Sequence, residues 1–347
     1  MKIFDYKKLV NRTWDKEVLN YVGLIHEYKG RQQLYLAQRP EELDKLVEIS
    51  KIQSTEASND IEGIRTTNAR LKQLMADKTT PRNRDENEIL GYRNALNLIH
   101  ESFEYITIRP NMILQLHKEM YQFMDVNFGG KYKDTPNEID MVYPDGHKEV
   151  IFKPLDPFDT PYAVEKLCEE FNEAVNKYNI EPLVAIPVFI HGFLCIHPFN
   201  DGNGRMSRLL TTLLLYKYGY TVGKFISLEK KIQLTKSEYY EALSKSSEGW
   251  LTNENDDTPF VKYLLGTILA AYRDFEDRIN IVGKQMSARE MVENAINKKI
   301  GKFTKSDIME LCPEISRQSI ESVLKDLCEE GKIEKHGGGR STFYYQK

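Results

Sequence analysis

The chain has 347 residues, which is long enough for two or three domains with a hydrophobic core in each. Hydrophobic residues make up 41% of the sequence and charged residues 29%, as is ordinary for a soluble globular protein. The net charge of −4 argues against a protein that binds nucleic acid over its whole surface. The cysteines have no metal-ligand spacing, and we expect reduced thiols: Cys168, Cys195, Cys312 and Cys328.

The sequence gives no signal for a membrane. The first residues, Met1–Asp5, lack the apolar core of a signal peptide. The most apolar segment, residues 183–196, is too short to span a bilayer and contains His191. We therefore expect a cytoplasmic protein without a membrane partner.

The first hundred residues predict helices separated by short breaks. Apolar residues recur at helical spacing over residues 18–35, 41–58, 66–77 and 86–105. Pro40 supports a helix start at its own position. The second helix ends in Ser58-Asn59-Asp60-Ile61-Glu62-Gly63. By itself, this segment reads as a helix end closed by a glycine.

The middle of the chain changes character twice. Pro110 opens a helix with an apolar stripe, on which His117 reads as a packed residue. Residues 127–159 are then rich in glycine and proline, which exclude a long helix. Two apolar runs, 141–143 and 149–152, flank Pro144-Asp145-Gly146-His147 and predict a β-hairpin. An exposed hairpin edge can hold an extended peptide by main-chain pairing.

Further helices are predicted over residues 160–178 and from Pro182 onward, where Pro187 predicts a kink or a late start. The stretch 196–208 follows as a glycine-rich turn and the beginning of a helix. Apolar residues recur at helical spacing after the turn: Met206, Leu209, Leu210, Leu213 and Leu214. The turn thus presents backbone N–H groups at a helix N-terminus, which is a ready anion site. Gly202 and Gly204 allow the backbone to approach a ligand closely.

The side chains around this turn are of the types that phosphate chemistry uses. Arg205 and Arg208 are three residues apart and can point from one helix face. Asp201 offers a hard oxygen ligand for a magnesium ion that bridges phosphates. His197 can accept a proton near neutral pH. This combination predicts a nucleotide-transfer site; the alternative is a glycine-rich loop with a buried histidine and a solvated arginine pair.

The last third of the chain predicts more helices and a separate small domain. Residues 221–234 read as irregular, and helices are expected over 235–247 and 259–279. Helices at 287–299, 304–311 and 316–330, followed by strands at 332–335 and 342–345, predict a winged helix. Ser316-Arg317-Gln318-Ser319 would open its recognition helix, and Arg340 would lie in the wing. Residues 287–347 carry a net charge of +1, so DNA, protein contact, dimerisation and domain regulation all stay open.

Residues 197–208 resemble the Fic family motif, His-x-Phe-x-Asp/Glu-Gly-Asn-Gly-Arg-x-x-Arg, at every fixed position, and the similarity extends over roughly 109–220. The resemblance implies a mainly α protein: a Fic-type helical bundle with a β-hairpin flap, plus a C-terminal winged-helix-like domain. We expect an N-terminal helical region over 1–108, a catalytic core over 109–280 and the winged-helix-like domain over 285–347.

A second motif resembles the family's inhibitory sequence, Ser/Thr-x-x-x-Glu-Gly/Asn, through Ser58, Glu62 and Gly63. In the family this glutamate pairs with the second arginine of the main motif, here Arg208. The resemblance therefore implies an inhibitory helix that precedes the core in the same chain. A bidentate arginine–carboxylate pair has the geometric specificity that such a role needs.

The resemblance also implies a reaction: transfer of AMP from ATP to a Ser, Thr or Tyr hydroxyl of a target protein or of the chain itself. His197 would be the base, and Asp201 the ligand of Mg²⁺. The phosphates would be held by a group of residues at the turn and the following helix: Gly202, Asn203, Gly204, Arg205 and Arg208. The Gly-Asn-Gly sequence is that of family members that transfer AMP rather than phosphate.

Two other functions stay open at this stage. Some family members remove AMP, and the presence of Glu62 is compatible with that reaction. A nucleotide-responsive transcription regulator is the alternative of another class, with the winged helix on DNA. A homodimer also stays open.

Overall fold

The computed structural model describes residues 4–38, 40–142, 148–282, 287–297, 299, 301–313 and 315–346. The fold is mainly α-helical, as predicted. After a 3₁₀ turn at Tyr6–Leu9, the helices are α1 Lys16–Gln38, α2 Pro40–Ile61, α3 Asn68–Met75, α4 Arg84–Ser102, α5 Pro110–Met120, α6 Thr160–Asn176, α7 Pro182–Ile196, α8 Asn203–Lys217, α9 Leu228–Leu234, α10 Lys236–Ser247, α11 Thr258–Val282, α12 Ala288–Asn297, α13 Lys305–Leu311 and α14 Arg317–Glu329. The strands are β1 Ile139–Val142, β2 Lys148–Phe152, β3 Ile333–His336 and β4 Phe343–Gln346.

The prediction for residues 221–234 is wrong. Residues 221–234 were expected to be irregular, but a 3₁₀ turn at Thr221–Lys224 leads into α9. The hydroxyl of Ser227 accepts a hydrogen bond from the backbone N–H of Lys230 and so caps α9. The helix has only seven residues, so its apolar periodicity is too short to stand out in the sequence.

The predicted hairpin is present. Strands β1 and β2 pair antiparallel, with Asp140 opposite Val150 and Val142 opposite Lys148. The predicted turn, Pro144-Asp145-Gly146-His147, lies outside the described residues. Phe152 packs edge-on against Trp250 at a ring-centroid distance of 6.3 Å, which anchors β2 beside the segment that follows α10.

A continuous hydrophobic core runs from Tyr6 to Ile279. Helix α7 lies at its centre and is buried along its whole length, from Leu183 to Ile196. The helix begins at Pro182 and continues through Pro187, so the expected late start is wrong. Because α7 is buried on all sides, its C-terminal end holds the loop after it in a fixed place.

Helices α12–α14 and strands β3–β4 have a core of their own, built by residues such as Val292, Ile308 and Leu324. Phe303 and Tyr344 exchange backbone hydrogen bonds across this unit, so that the strand pair closes against the helices. Three helices followed by a hairpin form the winged-helix-like arrangement that the sequence predicted. In the described part of the chain, every helix is too short or too polar to cross a bilayer.

Candidate active site

The motif loop joins the C-terminus of α7 to the N-terminus of α8. His197 follows α7 in the left-handed region, with φ of 51°, and Gly202 precedes α8 with φ of 81°. A Cβ atom on Gly202 would lie 2.6 Å from the Met120 side chain and 2.9 Å from the Tyr121 hydroxyl. Both the positive φ and the close approach therefore require glycine at position 202.

The His197 ring is oriented by the helix that carries it. Its Nδ1 lies 3.3 Å from the backbone oxygen of Leu194 and can donate a hydrogen bond to it. That bond assigns the proton to Nδ1 and leaves Nε2 as the acceptor. Burial lowers the pKa of His197 to about 4, so the ring is neutral at pH 7. The arrangement suits a general base.

Asn203 braces the loop from within. Its side-chain oxygen accepts the Phe199 N–H at 2.9 Å, and its amide nitrogen donates to the Phe199 oxygen at 2.7 Å. The Phe199 ring is fully buried and stacks on His117 at 3.7 Å. The Asn203 side chain is thus bonded within the loop, and only backbone N–H groups at the start of α8 stay suited to bind an anion.

Arg205 is buried, with 1% of its side chain exposed. Its Nη2 lies 2.7 Å from a carboxylate oxygen of Glu88 and donates to the Tyr121 hydroxyl at 2.8 Å. The Nε and Nη1 atoms have no hydrogen-bond partner in the described part of the chain. Sequence reasoning missed Glu88, because it lies on α4, far from the motif.

Arg208 and the end of α2 form a second cluster, in which Arg208 and Ser58 are buried and Glu62 is partly exposed. Arg208 donates through Nη2 to Glu62 Oε1 at 2.8 Å and to the Ser58 backbone oxygen at 2.9 Å. Its Nε donates to the Ser58 hydroxyl at 2.8 Å. Burial is the largest effect on the pKa of Arg208 and lowers it, but Glu62, Tyr239 and Tyr92 together outweigh burial and raise the pKa. Gly63 follows with φ of 81° and turns the chain away from the helix.

Asp201 is partly exposed at the mouth of the loop. One carboxylate oxygen accepts the Gly202 N–H at 2.7 Å, and the other lies 3.6 Å from Arg84. A partly exposed carboxylate beside a phosphate site fits Mg²⁺, which keeps several water ligands and is held by one or two carboxylates and substrate oxygens. The described residues contain no cluster of three or more His, Cys, Asp or Glu side chains suited to a metal.

The segment before the hairpin supports the loop, which the sequence did not reveal. The Lys133 ammonium group donates to the Ile196 oxygen at 3.1 Å and to the Asn137 side-chain oxygen at 2.9 Å. The Asn137 amide donates to the Phe199 oxygen at 3.1 Å. Burial lowers the pKa of Lys133 to about 8. Lysine and asparagine in a glycine-rich loop carry no pattern that would have singled them out.

His117 is a packed residue, as predicted, and its ring also joins two loop segments through two hydrogen bonds, which we call the His117 clamp. Its Nε2 lies 3.0 Å from the Asp201 backbone oxygen, while its Nδ1 accepts the Gly130 N–H at 2.9 Å. These two partners assign the proton to Nε2. His191 lies apart from the motif loop, fully buried, with Nδ1 2.7 Å from Asp257.

The aromatic pair on α10 lies beside the cluster of Arg208 and Glu62. Tyr239 is buried and meets Tyr240 edge-on, with ring centroids 5.3 Å apart. Burial raises the pKa of Tyr239 to about 12, and the Arg208 charge opposes this shift. The pair is placed to border a ligand that enters next to Arg208.

Comparisons with known proteins agree with this geometry. Residues 105–215 match the family model of the Fic/DOC family, and residues 287–347 match the model named Transcriptional regulator DIP2311-like, C-terminal domain. Two curated relatives named Protein adenylyltransferase Fic are similar to this chain: that of Drosophila grimshawi is 30% identical over 181 residues, and that of Drosophila mojavensis 31% over 183 residues.

These matches cover 52% of this chain but only 33% and 32% of the two relatives, so the chain spans about a third of their length. The crystal structure of a Fic family protein from Desulfovibrio desulfuricans G20 has a similar fold, with a TM-score of 0.65 and 22% identity. That likeness covers 97% of both chains.

The helical bundle, the loop between α7 and α8 and the adjoining strand pair define a protein of the Fic fold. The chain carries a Fic domain, matched over residues 105–215, and a winged-helix-like domain at residues 287–347.

Proposed function

We propose that this protein is an adenylyltransferase that moves AMP from ATP to a protein hydroxyl and is held inactive by Glu62. The observation that carries the proposal is the contact between the buried Arg208 and the partly exposed Glu62, 2.8 Å long, next to a complete motif loop. The curated relatives bear the name of this activity. The catalytic core would comprise residues 109–280, with residues 1–108 supplying the inhibitory helix and 285–347 a separate domain.

The reaction follows from the orientation of His197. Its free Nε2 takes the proton from a Ser, Thr or Tyr hydroxyl while that oxygen attacks the α-phosphorus of ATP. The bond from the α-phosphorus to the bridging oxygen breaks, and pyrophosphate leaves with that electron pair. The proton stays on His197, which becomes an imidazolium. Nδ1–H remains bonded to Leu194, so the ring keeps its orientation.

The phosphates would be bound at the start of α8. The N–H groups of residues 203 and 204 lie at a helix N-terminus, where an anion is stabilised by unpaired donors and by the helix dipole, whereas the Gly202 N–H is bonded to Asp201. Arg205 would contact the departing β- and γ-phosphates. Asp201 would hold Mg²⁺, which when bound offsets phosphate charge and stabilises the leaving pyrophosphate.

Inhibition would follow from competition for Arg208. The Glu62 carboxylate takes the guanidinium that would otherwise bind the γ-phosphate. An ATP molecule bound against that carboxylate would meet like charges in a site of low dielectric constant. Withdrawal of Glu62 would free Arg208 and allow ATP to bind with all its phosphates in place.

The acceptor would be a hydroxyl-bearing segment of a protein, either a separate target or this chain. The two-stranded β1–β2 hairpin supports this choice, because an extended segment can pair with the outer edge of such a sheet. The chain has 20 tyrosines, so self-modification has many candidate acceptors. Removal of AMP would use the same site, with Glu62 placing a water molecule.

A second candidate function concerns residues 287–347, whose family model bears the name of a transcriptional regulator. This match supports contact with DNA through α14. The charges near the start of α14 weigh against DNA contact, because the positive charges of Arg317 and Lys305 are both paired with Glu321. Measurement of DNA binding at several salt concentrations tests this function, since phosphate contacts give a linear loss of log affinity with log salt.

The main proposal is tested by intact mass after incubation with ATP and Mg²⁺. We expect Glu62→Gly to gain the mass of AMP, on itself or on a lysate protein, whereas wild type gains little. Adding His197→Ala to that variant should abolish the gain. Glu48→Ala is the matched control, because Glu48 lies on the same helix with its side chain 72% exposed. If Glu62→Gly binds ATP and modifies nothing, adenylyl transfer is wrong.

A further inference from the structure

Glu88 is a buried carboxylate that the proposed mechanism has not used. It lies one turn into α4, and only 2% of the residue is exposed. Buried carboxylates are found almost only where a cation pairs with them. Here the cation belongs to the proposed phosphate site.

The two oxygens of Glu88 contact two different arginines. Oε2 lies 2.7 Å from Arg205 Nη2, and Oε1 accepts a hydrogen bond from Arg84 Nε at 2.7 Å. Arg84 is mostly exposed, while Arg205 is buried. The contact with Arg205 is therefore the one that solvent screens least.

Glu88 and Tyr121 together leave Arg205 half satisfied. Both bind the same nitrogen, Nη2, and Nε and Nη1 stay buried without a partner in the described residues. Buried donors without acceptors cost free energy, which a ligand oxygen can recover. The guanidinium is thus held through Nη2 alone, and its Nε and Nη1 atoms could donate hydrogen bonds to an anion.

Glu88 competes with Asp201 for the same nitrogen of Arg205. Asp201 precedes Arg205 by four residues, and its carboxylate lies 3.8 Å from Arg205 Nη2. Asp201 precedes α8, and opposite charges at this distance attract each other. Because Glu88 is the closer partner of Arg205, Asp201 stays at the mouth of the loop, where a metal ion can reach it.

The packing of α4 on α5 places Glu88 at this point. A Cβ atom on Gly91 would lie only 1.9 Å from the Met120 backbone oxygen, so the two helices touch through their backbones. Glu88 is one turn before Gly91, and Tyr121 directly follows α5. The close approach at Gly91 brings both partners of Arg205 to one nitrogen.

We propose that Glu88 is a positioning residue, which holds Arg205 for the β- and γ-phosphates and limits its contact with Asp201 to the longer distance. This inference rests on the proposed function, because it assigns a polyphosphate nucleotide to the site. Glu88 itself does not contact the nucleotide. Loss of Glu88 should therefore weaken the binding of ligands that carry a β- and a γ-phosphate. The binding of a ligand that has only the α-phosphate should be unchanged.

The test uses the full chain with Glu62→Gly, alone and combined with Glu88→Gln. Dissociation constants for ATP and for AMP are measured by calorimetry, and transfer is measured over a range of Mg²⁺ concentrations. We expect Glu88→Gln to raise the dissociation constant of ATP about tenfold, which is the scale of a charge-assisted contact. AMP binding should change less than twofold, and half-maximal transfer should need more Mg²⁺. Glu101→Gln, an exposed position on the same helix, is the matched control.

A ratio of ATP affinity to AMP affinity that Glu88→Gln leaves unchanged would overturn the inference. An equal loss of both affinities, in particular, would point to a merely structural role. Should Glu88→Gln fail to fold, Glu88→Asp keeps the charge at a shorter reach and should move the same ratio by a smaller factor. Failure of the proposed function looks different, because Glu62→Gly by itself would then transfer no AMP whatever Glu88 does.

Discussion

Gly204 and Glu62 occupy neighbouring space, because a Cβ atom on Gly204 would lie 2.3 Å from Glu62 Oε1. The same Cβ atom would lie 3.3 Å from Arg208 Nη1. Glycine at position 204 is therefore what lets the carboxylate reach the arginine across the first turn of α8. The proposed catalytic motif and the proposed inhibitory contact share this residue.

This relationship predicts a coupling between positions 204 and 62. Gly204→Ala should push Glu62 away from Arg208, so that Glu62→Gln then costs less free energy of unfolding than it does in wild type. We expect a coupling of about 1 kcal/mol, within the range for residues in contact. Chemical denaturation of wild type, both single variants and the double variant measures it. Additive effects within error would contradict the prediction.

A second prediction concerns stabilisation by nucleotide. If Glu62 blocks the γ-phosphate site, ATP at 100 times its dissociation constant for Glu62→Gly should stabilise that variant by about 2.7 kcal/mol. Wild type at the same ATP concentration should gain much less, because its site must first lose the contact with Glu62. Thermal unfolding with and without ATP checks both. Equal stabilisation of the two proteins would argue against a block by Glu62.

The sequence predicted the parts of the site that are local. His197, Asp201, Arg205 and Arg208 lie on the loop that follows α7 and on the first two turns of α8. The partners that orient them come from distant segments: Glu88, Tyr121, Lys133 and Asn137. No periodicity links such residues to the motif, since packing of helices and loops decides which of them meet.

Some predicted details needed the packing as well. Asn203 was expected among the phosphate ligands, yet its side chain bonds to Phe199 on both sides. Helix α9 was not predicted, because the stability of a short helix depends on its cap and on packing against its neighbours more than on helix propensity. Ser58 and Glu62 lie at and just after the end of α2, and both contact Arg208, since four residues make about one helical turn.

The clamp at His117 gives a third prediction. His117→Phe keeps an aromatic ring against Phe199 but leaves the Gly130 N–H without its acceptor and the Asp201 carbonyl without its donor. We expect a loss of about 1–3 kcal/mol in the free energy of unfolding, the cost of unsatisfied buried groups. Transfer by the Glu62→Gly protein should also fall, because Asp201 loses its anchor. Urea denaturation and the transfer rate measure the two effects.

The matched control is His26→Phe, a partly exposed histidine on α1 whose side chain is 47% accessible. It should change neither quantity appreciably. A transfer rate that survives His117→Phe unchanged would show that the Asp201 backbone holds its place without the clamp.

The last prediction is a pH profile for transfer by Glu62→Gly. His197 must be neutral to accept a proton, and its pKa of about 4 means that kcat/KM falls only at acidic pH. The Glu62 carboxylate raises the pKa of His197, so its removal moves this acid limb to still lower pH. The protein should therefore work at full rate from about pH 5 to neutral pH.

On the alkaline side the profile should fall as Lys133 loses its proton, because its pKa is about 8. The neutral amine donates a weaker hydrogen bond to Ile196 than the ammonium group does, and the loop that carries His197 loosens. Lys133→Met removes the titrating group, so it should lower the rate at pH 7 and abolish the alkaline limb. An alkaline limb that persists in Lys133→Met would assign it to another group and leave Lys133 a purely structural role.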